Sequence, residues 1–188
     1  KKNGNIIQIF AEARYSLCGT NAIIPDSLAK LAKLLDVPVV MLKMHGHHIN
    51  SPYWNLHNRK IKGIEAELKC IMNQDEIRNL PLEEVNRLIQ ENYVYDEYKW
   101  QKDNKIEVKY KGRAEGLHKV LYQCPHCGTE YEMDSKDDVL FCRHCGKKWK
   151  YSPYGELSAV EGETEFSHIP DWYEWERENV RREVKEGK

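Results

Sequence analysis

Apolar positions along the chain change period several times, and each change predicts an element. Asn5-Ile-Ile-Gln-Ile-Phe10 is almost wholly β-branched or aromatic, the pattern of a strand buried on both faces of a parallel sheet. Asp26-Ser27 then opens a helix whose Leu28, Leu31, Ala32 and Leu35 recur at the i, i+3, i+4, i+7 spacing of one face; it stops at Asp36-Val37-Pro38. A second buried strand follows at Val39-Val-Met-Leu-Lys-Met44. Strand, helix and strand within about forty residues predict a right-handed βαβ unit, hence an α/β fold with a parallel-sheet core.

Further along, Ile64, Ala66, Leu68 and Cys70 alternate with charged or small residues, as in a half-buried strand. Pro81 and Glu83-Glu84 open a helix carrying Leu82, Val85, Leu88 and Ile89. The aromatic and charged stretch 93–111 reads as a loop with irregular or strand structure. The final segment, from Ile169, reads as a charged helix beginning at Pro170-Asp171, with Tyr173, Val180 and Val184 on one stripe and Trp172 and Trp175 as core anchors or a contact surface. These elements divide the chain into an α/β part over 1–117, a small metal-binding insert over 118–152 and a C-terminal extension over 153–188.

Cysteine spacing changes the picture most. Of six cysteines, four form Cys124-Pro-His-Cys127 and Cys142-Arg-His-Cys145, separated by fourteen residues. Two Cys-x2-Cys turns deliver two sulfurs each to one ion, the ligand set of a structural Zn2+ ribbon with a filled coordination sphere. Gly128 and Gly146 follow each pair and permit the positive-φ turn that aims backbone N–H groups at sulfur. A thioredoxin-type dithiol at Cys124 and Cys127 is the alternative, but it requires no second pair, and Gly-Thr-Glu-Tyr-Glu after Cys127 alternates as a strand does. His126 and His144 are then spare. Lys147-Lys-Trp-Lys150 either offers an aromatic, basic tip to nucleic acid or places Trp149 over the ribbon core with lysines at a soluble edge.

Composition narrows the partners. The 188 residues hold 29 Lys and Arg against 30 Asp and Glu, so no global field draws the chain to nucleic acid or anionic lipid, and nucleic acid is not the expected partner. The longest apolar run, 37–42, is far shorter than the roughly 20 residues of a membrane-spanning helix. Thiolate ligands with free Cys18 and Cys70 suggest a reducing, cytoplasmic setting. Lys1-Lys-Asn-Gly4 leads at once into strand-like sequence, which predicts a longer parent polypeptide. Ligands of parallel α/β sheets bind beyond the carboxyl ends of strands, here the stretches 10–16 and His45-Gly-His-His48. The latter offers a base or a second metal site, a pocket-lining role being the better fit for a histidine run without an acidic neighbour. Motifs of P-loop, dinucleotide-binding, serine-hydrolase and zinc-protease sites are absent.

The block Ile9-Phe-Ala-Glu-Ala-Arg-Tyr-Ser16, then Gly19, a helix and Val37-Pro-Val-Val-Met-Leu42, resembles the third and fourth sequence blocks of glycerolipid acyltransferases of the lysophosphatidate type, whose third block reads Phe-Pro-Glu-Gly-Thr-Arg-Ser. The resemblance covers about residues 5 to 92 and leaves the ribbon as an added element. Phe10, Glu12 and Ser16 fall on the pattern; Ala11 stands at its proline, Ala13 at its glycine, Arg14 one place before its arginine and Met41 at a proline of the fourth block. The resemblance implies transfer of an acyl group from an acyl thioester, acyl-CoA or acyl carrier protein, to a lysophospholipid-type alcohol. It also implies peripheral contact with the inner membrane face, and substrate binding by Glu12, Arg14, Ser16 and His45. An arginine fork suits a phosphate, and a carboxylate can orient it or accept an acceptor hydroxyl; a structural Glu12–Arg14 ion pair is the alternative. The family's catalytic block is His-x4-Asp, and no histidine here has an aspartate five places on. In the family that block lies upstream, so the chain is expected to be the C-terminal part of an acyltransferase, with no catalytic residue of its own. Two rivals remain: a zinc-ribbon module for nucleic acid or protein on a non-catalytic scaffold, and a family member that binds lipid or thioester without turnover.

Overall fold

The computed structural model of the chain describes residues 4–187 and is mixed α/β. The chain divides into two compact units, one of residues 4–16, 20–45 and 65–95, the other of 17–19, 46–64 and 96–187.

In the first unit, helix α1 (Ser27–Leu35) leads into strand β1 (Val39–His45), which pairs with β2 (Glu65–Met72); helices α3 (Gln74–Asn79) and α4 (Leu82–Tyr93) follow. Asp36 ends α1 in the left-handed region, its N–H returning to Ala32 O, so the helix stops where Val37-Pro38 requires extended backbone. An Asn73/Glu76 capping box starts α3. Ile24, Ala29, Ala32, Met72, Ile77, Val85 and Ile89 form the core, with Ala11, Leu28, Val39 and Tyr93 packed against it.

The expected parallel βαβ core is not what forms. β1 and β2 are antiparallel, from Val39 opposite Met72 to His45 opposite Glu65, with an irregularity between Val39 and Val40. Residues 5–10 join no strand, and Ile6, Ile7, Ile9 and Phe10 are exposed rather than buried on two faces. The physical reason is pairing: a β-branched run supplies strand propensity, but a parallel partner must be brought to it, and β1 finds its partner in β2 instead. The alternation 66, 68, 70 does lie on a strand, yet these residues face solvent.

In the second unit, β3 (Met133–Lys136), β4 (Val139–Cys142), β5 (Lys148–Tyr151) and β6 (Leu157–Ala159) form an antiparallel meander. Around it lie the short helix α2 (His47–Asn50), α5 (Glu97–Asp103), a 3-10 turn at Leu117–Lys119 and the long helix α6 (Ile169–Glu186). Within 93–111, where irregular chain was expected, Asp96 caps α5 by accepting from the N–H groups of Tyr98 and Lys99, and Tyr98 and Gln101 are buried. α6 buries Ile169, Trp172, Glu176 and Asn179, not the Val180–Val184 stripe, which is exposed. Two polar residues on the buried face hid it from a hydrophobicity pattern; both are consumed by hydrogen bonds described below. Trp149 and Trp172 meet edge to face, 5.0 Å between centroids, at the centre of the unit's core, and both are fully buried.

Candidate functional site

The four cysteines of the two Cys-x2-Cys turns come together. Their sulfurs lie within 4.8 Å of one another, making a cluster that could hold a metal ion such as zinc. Cys124 and Cys145 Sγ are 3.8 Å apart, as are Cys127 and Cys142 Sγ. Four thiolates about 2.3 Å from a tetrahedral ion stand about 3.8 Å from each other, so the donor set and its spacing fit. Cys124 and Cys142 are buried; Cys127 and Cys145 are exposed. Each turn closes on a glycine, Gly128 N–H donating to Cys124 O at 2.8 Å and Gly146 N–H to Cys142 O at 2.9 Å, with φ of +75° and +78°. Backbone N–H groups of His126 and Cys127 turn toward Cys124 Sγ, and those of Thr129 and Lys147 toward Cys127 and Cys145. Burial raises the Cys124 thiol. At Cys127 burial acts the same way but is overcome by Thr129, whose hydroxyl is 3.4 Å away, and the thiol falls to about 5.

Helix α6 ties the first turn in place. Gln123, just before Cys124, donates its backbone N–H to Glu176 Oε1 at 2.9 Å and accepts Trp172 Nε1–H on its carbonyl at 3.0 Å. Its side chain takes Asn179 Nδ2–H on Oε1 at 2.8 Å and donates Nε2–H to Gly128 O at 3.1 Å. Glu176 Oε2 is buried without a hydrogen-bond partner, and burial lifts this carboxyl to about 8, so it holds its proton at neutral pH.

On the other side of the ribbon, Glu165 gathers the features that suggested a basic, aromatic tip. It receives Lys147 Nζ at 2.6 Å and Trp149 Nε1–H at 3.1 Å, and lies 3.2 Å from His126 Nδ1. Trp149 is thus a core residue, and Lys147 is neutralised. His144 sits at the surface with a hydrogen bond to Cys127.

The remaining sequence candidates lie in the first unit, Glu12 beside Tyr93 and His45 beside Tyr95. Glu12 is half-buried and hydrogen-bonds to Tyr93, whose hydroxyl is raised to about 12 by burial and by that carboxylate. His45 is half-buried with Nδ1 3.2 Å from the Tyr95 hydroxyl, the two rings edge to face, and Nε2 is 3.9 Å from Glu67. Lys43 Nζ donates to Val94 O at 3.4 Å. Asn21 locks the segment by exchanging hydrogen bonds with Tyr95, and Ser16 Oγ–H donates to Thr20 O at 2.7 Å. Arg14 is exposed, and among the described residues no ion pair joins it to Glu12. Ala13 between them has φ +50°, in a turn closed by its N–H on Phe10 O at 3.1 Å.

Sequence reasoning missed Tyr93 and Tyr95. Their signal is the aromatic pair at the end of α4, where the stretch read from sequence as a loop with irregular or strand structure begins. The histidines at 45–48 do not form a metal group: among the described residues the cysteine cluster alone gathers three or more possible ligands. His48 lies 3.3 Å from the Tyr98 hydroxyl, and burial, with Arg59 nearby, lowers it to about 4 and keeps it neutral. No described helix is long and apolar enough to cross a membrane. Compared with family models, curated proteins and solved structures, the chain matches none.

Proposed function

We propose that the chain is the acceptor-binding, C-terminal part of a glycerolipid O-acyltransferase, working peripherally at the inner membrane face. Its reaction joins an acyl group from acyl-CoA or acyl carrier protein to the hydroxyl of a lysophospholipid-type acceptor. The hydroxyl proton passes to a histidine of a His-x4-Asp block in the upstream part of the parent protein, and the thiol leaves. Arg14 holds the acceptor phosphate, Glu12 and Ser16 orient the loop or the acceptor, and His45 lines the pocket.

The observation that carries this reading is the backbone at Ala13. The resembled block has glycine at this place, and the residue here adopts the left-handed conformation that glycine favours, between a carboxylate held by Tyr93 and an exposed guanidinium. A turn of that shape at the end of an apolar run leaves an arginine unpaired with its neighbouring carboxylate and open to a phosphate. The ribbon is assigned a structural zinc, four thiolates leaving no coordination position for substrate. Nucleic acid is set aside because Trp149 is buried and Lys147 is paired, which removes the stacking surface and one of the tip's three lysines.

The test is steady-state acyl transfer by the parent protein with a phosphorylated acceptor. Arg14→Ala is expected to raise the apparent KM for that acceptor by about tenfold or more, with a smaller change in kcat and with Arg14→Lys intermediate. An unchanged KM removes Arg14 from the phosphate site.

A further inference from the structure

His168 stands at the start of α6, where a side chain ordinarily caps the free backbone N–H groups of the first turn, yet it makes no such bond. Both ring nitrogens turn to carboxylates instead, Nε2 to Asp96 Oδ2 at 3.0 Å and Nδ1 to Asp171 Oδ1 at 3.1 Å. Asp96 is the cap of α5, its other oxygen accepting the N–H groups of Tyr98 and Lys99, and Asp171 lies in the first turn of α6. One imidazole thus joins the beginnings of two helices that are far apart in sequence. A neutral imidazole has one N–H and one lone pair, so in that form one of the two contacts sets a lone pair against a carboxylate. Only the imidazolium donates to both. The other groups that face His168 are Tyr98 of α5, edge to face at 6.3 Å, and Glu156, which bridges to it through the backbone and is itself paired with Lys102 at 2.6 Å. No cation among these competes for the two carboxylates, since Lys102 is taken by Glu156.

We infer that His168 is a pH-operated clasp between α5 and α6, closed while its ring is a cation held by Asp96 and Asp171, and that deprotonation opens it and loosens α6 from its first turn. That turn is where the loss is felt: Asp171 and Trp172 donate their N–H groups to His168 O at 3.2 and 3.3 Å, and Trp172 in turn holds the Gln123 carbonyl beside the first cysteine pair. The sign follows from the contacts. The hydrogen bond to Asp96, with a smaller contribution from Asp171, raises His168 above its ordinary 6.5 against the effect of burial. The clasp is therefore complete below pH 6.5 and is lost as pH rises through the higher folded value. At the acid end Asp96, whose burial is outweighed by His168 and the α5 N–H groups, stays ionised to below its ordinary 3.8. Glu176, further along α6, does not touch His168 but works in the same direction, ionising as pH climbs through about 8. Base thus releases this helix both at its start and along its buried face. The clasp is independent of acyl transfer, since every group in it belongs to the second unit.

The buried indole N–H of Trp172 reports on α6 directly. Its hydrogen exchange is followed by NMR on the zinc-loaded chain carrying Glu176→Gln, so that the carboxyl no longer titrates, with and without His168→Gln. Comparing the two proteins at the same pH cancels the intrinsic acceleration of exchange by base. The expected ratio, variant over parent, is about fivefold or more at pH 5.5, where only the parent holds a closed clasp, and falls to about twofold or less at pH 8.5, where both are open. A ratio that stays the same at every pH, whether large or near one, overturns the inference, because a fixed structural contact would not follow the charge. A second measurement needs no substitution at His168: its ring nitrogens are titrated in the unaltered chain. Both are expected to carry protons up to a midpoint above 6.5, and Asp171→Asn is expected to move that midpoint down. A midpoint at or below 6.5, or one that Asp171→Asn leaves in place, overturns the clasp.

Discussion

Ala13 and Glu176 both sit in states that their side chains do not favour, and each makes a measurable demand. Ala13 carries φ +50°, where a Cβ crowds the carbonyl at a cost of about 1–2 kcal/mol. Replacing it with glycine relieves that crowding and gives back part of the gain as unfolded-state entropy. Ala13→Gly is therefore expected to raise stability by about 0.5 kcal/mol or more, read as a higher urea midpoint; a fall would mean that the backbone there is not left-handed. Glu176 is buried beside Gln123 and titrates near 8 in the folded chain, above its ordinary 4.5. A raised acid binds its proton more tightly when folded. Its contribution is thus complete below pH 4.5 and is lost as pH climbs through 8, where the buried carboxyl must ionise. Glu176→Gln keeps an oxygen for the Gln123 N–H and cannot ionise. It is expected to flatten the decline in stability between pH 5 and pH 9, making the variant the more stable at pH 9 by roughly 1–3 kcal/mol. Parallel pH profiles for the two proteins would show that Glu176 stays exposed to water. Neither demand can be read from a residue's identity, since a glutamate on a charged helix looks solvated until the helix is rotated against its neighbour.

At the scale of elements, local signals were legible and pairing was not. The Cys-x2-Cys turns, their glycines and the ends of α1, α4 and α6 follow from short-range chemistry: a sulfur pair needs a positive-φ residue to close its turn, and a proline bounds a helix. β1 and β2 were also legible as strands. Their partnership was not, because strand propensity is indifferent to direction and a βαβ reading required residues 5–10 to pair. α6 was legible as a helix and illegible in its orientation, because its buried face spends Glu176 and Asn179 on the backbone and side chain of Gln123. That arrangement makes the ribbon depend on both its metal ligands and this helix. Metal analysis of the purified chain is expected to find about one zinc per molecule. Removing it with a chelator, or changing Cys142 to Ser, is expected to abolish the near-ultraviolet signal of the Trp149–Trp172 pair. A folded, metal-free sample with that signal intact would rule out a zinc requirement.

For the molecule as a whole, the two units differ in how completely they are enclosed. The second has a core of large fully buried side chains, among them Trp149, Trp172, Leu117, Leu121 and Ile169. The first is built on smaller residues and leaves one face of the β1–β2 pair and the run from Ile6 to Phe10 exposed. Charge balance, the absence of a long apolar run and the four-cysteine pattern were determined by the sequence alone, because each is a count or a spacing that folding does not alter. Only the tertiary structure decided that β1 runs antiparallel to β2, that Trp149 and Lys147 turn inward to Glu165, and that Glu12 and His45 meet Tyr93 and Tyr95. Each of these joins residues tens of positions apart or settles which way a side chain faces. Such choices depend on which surfaces remain to be buried once the local elements have formed, and a single chain's pattern does not record that competition.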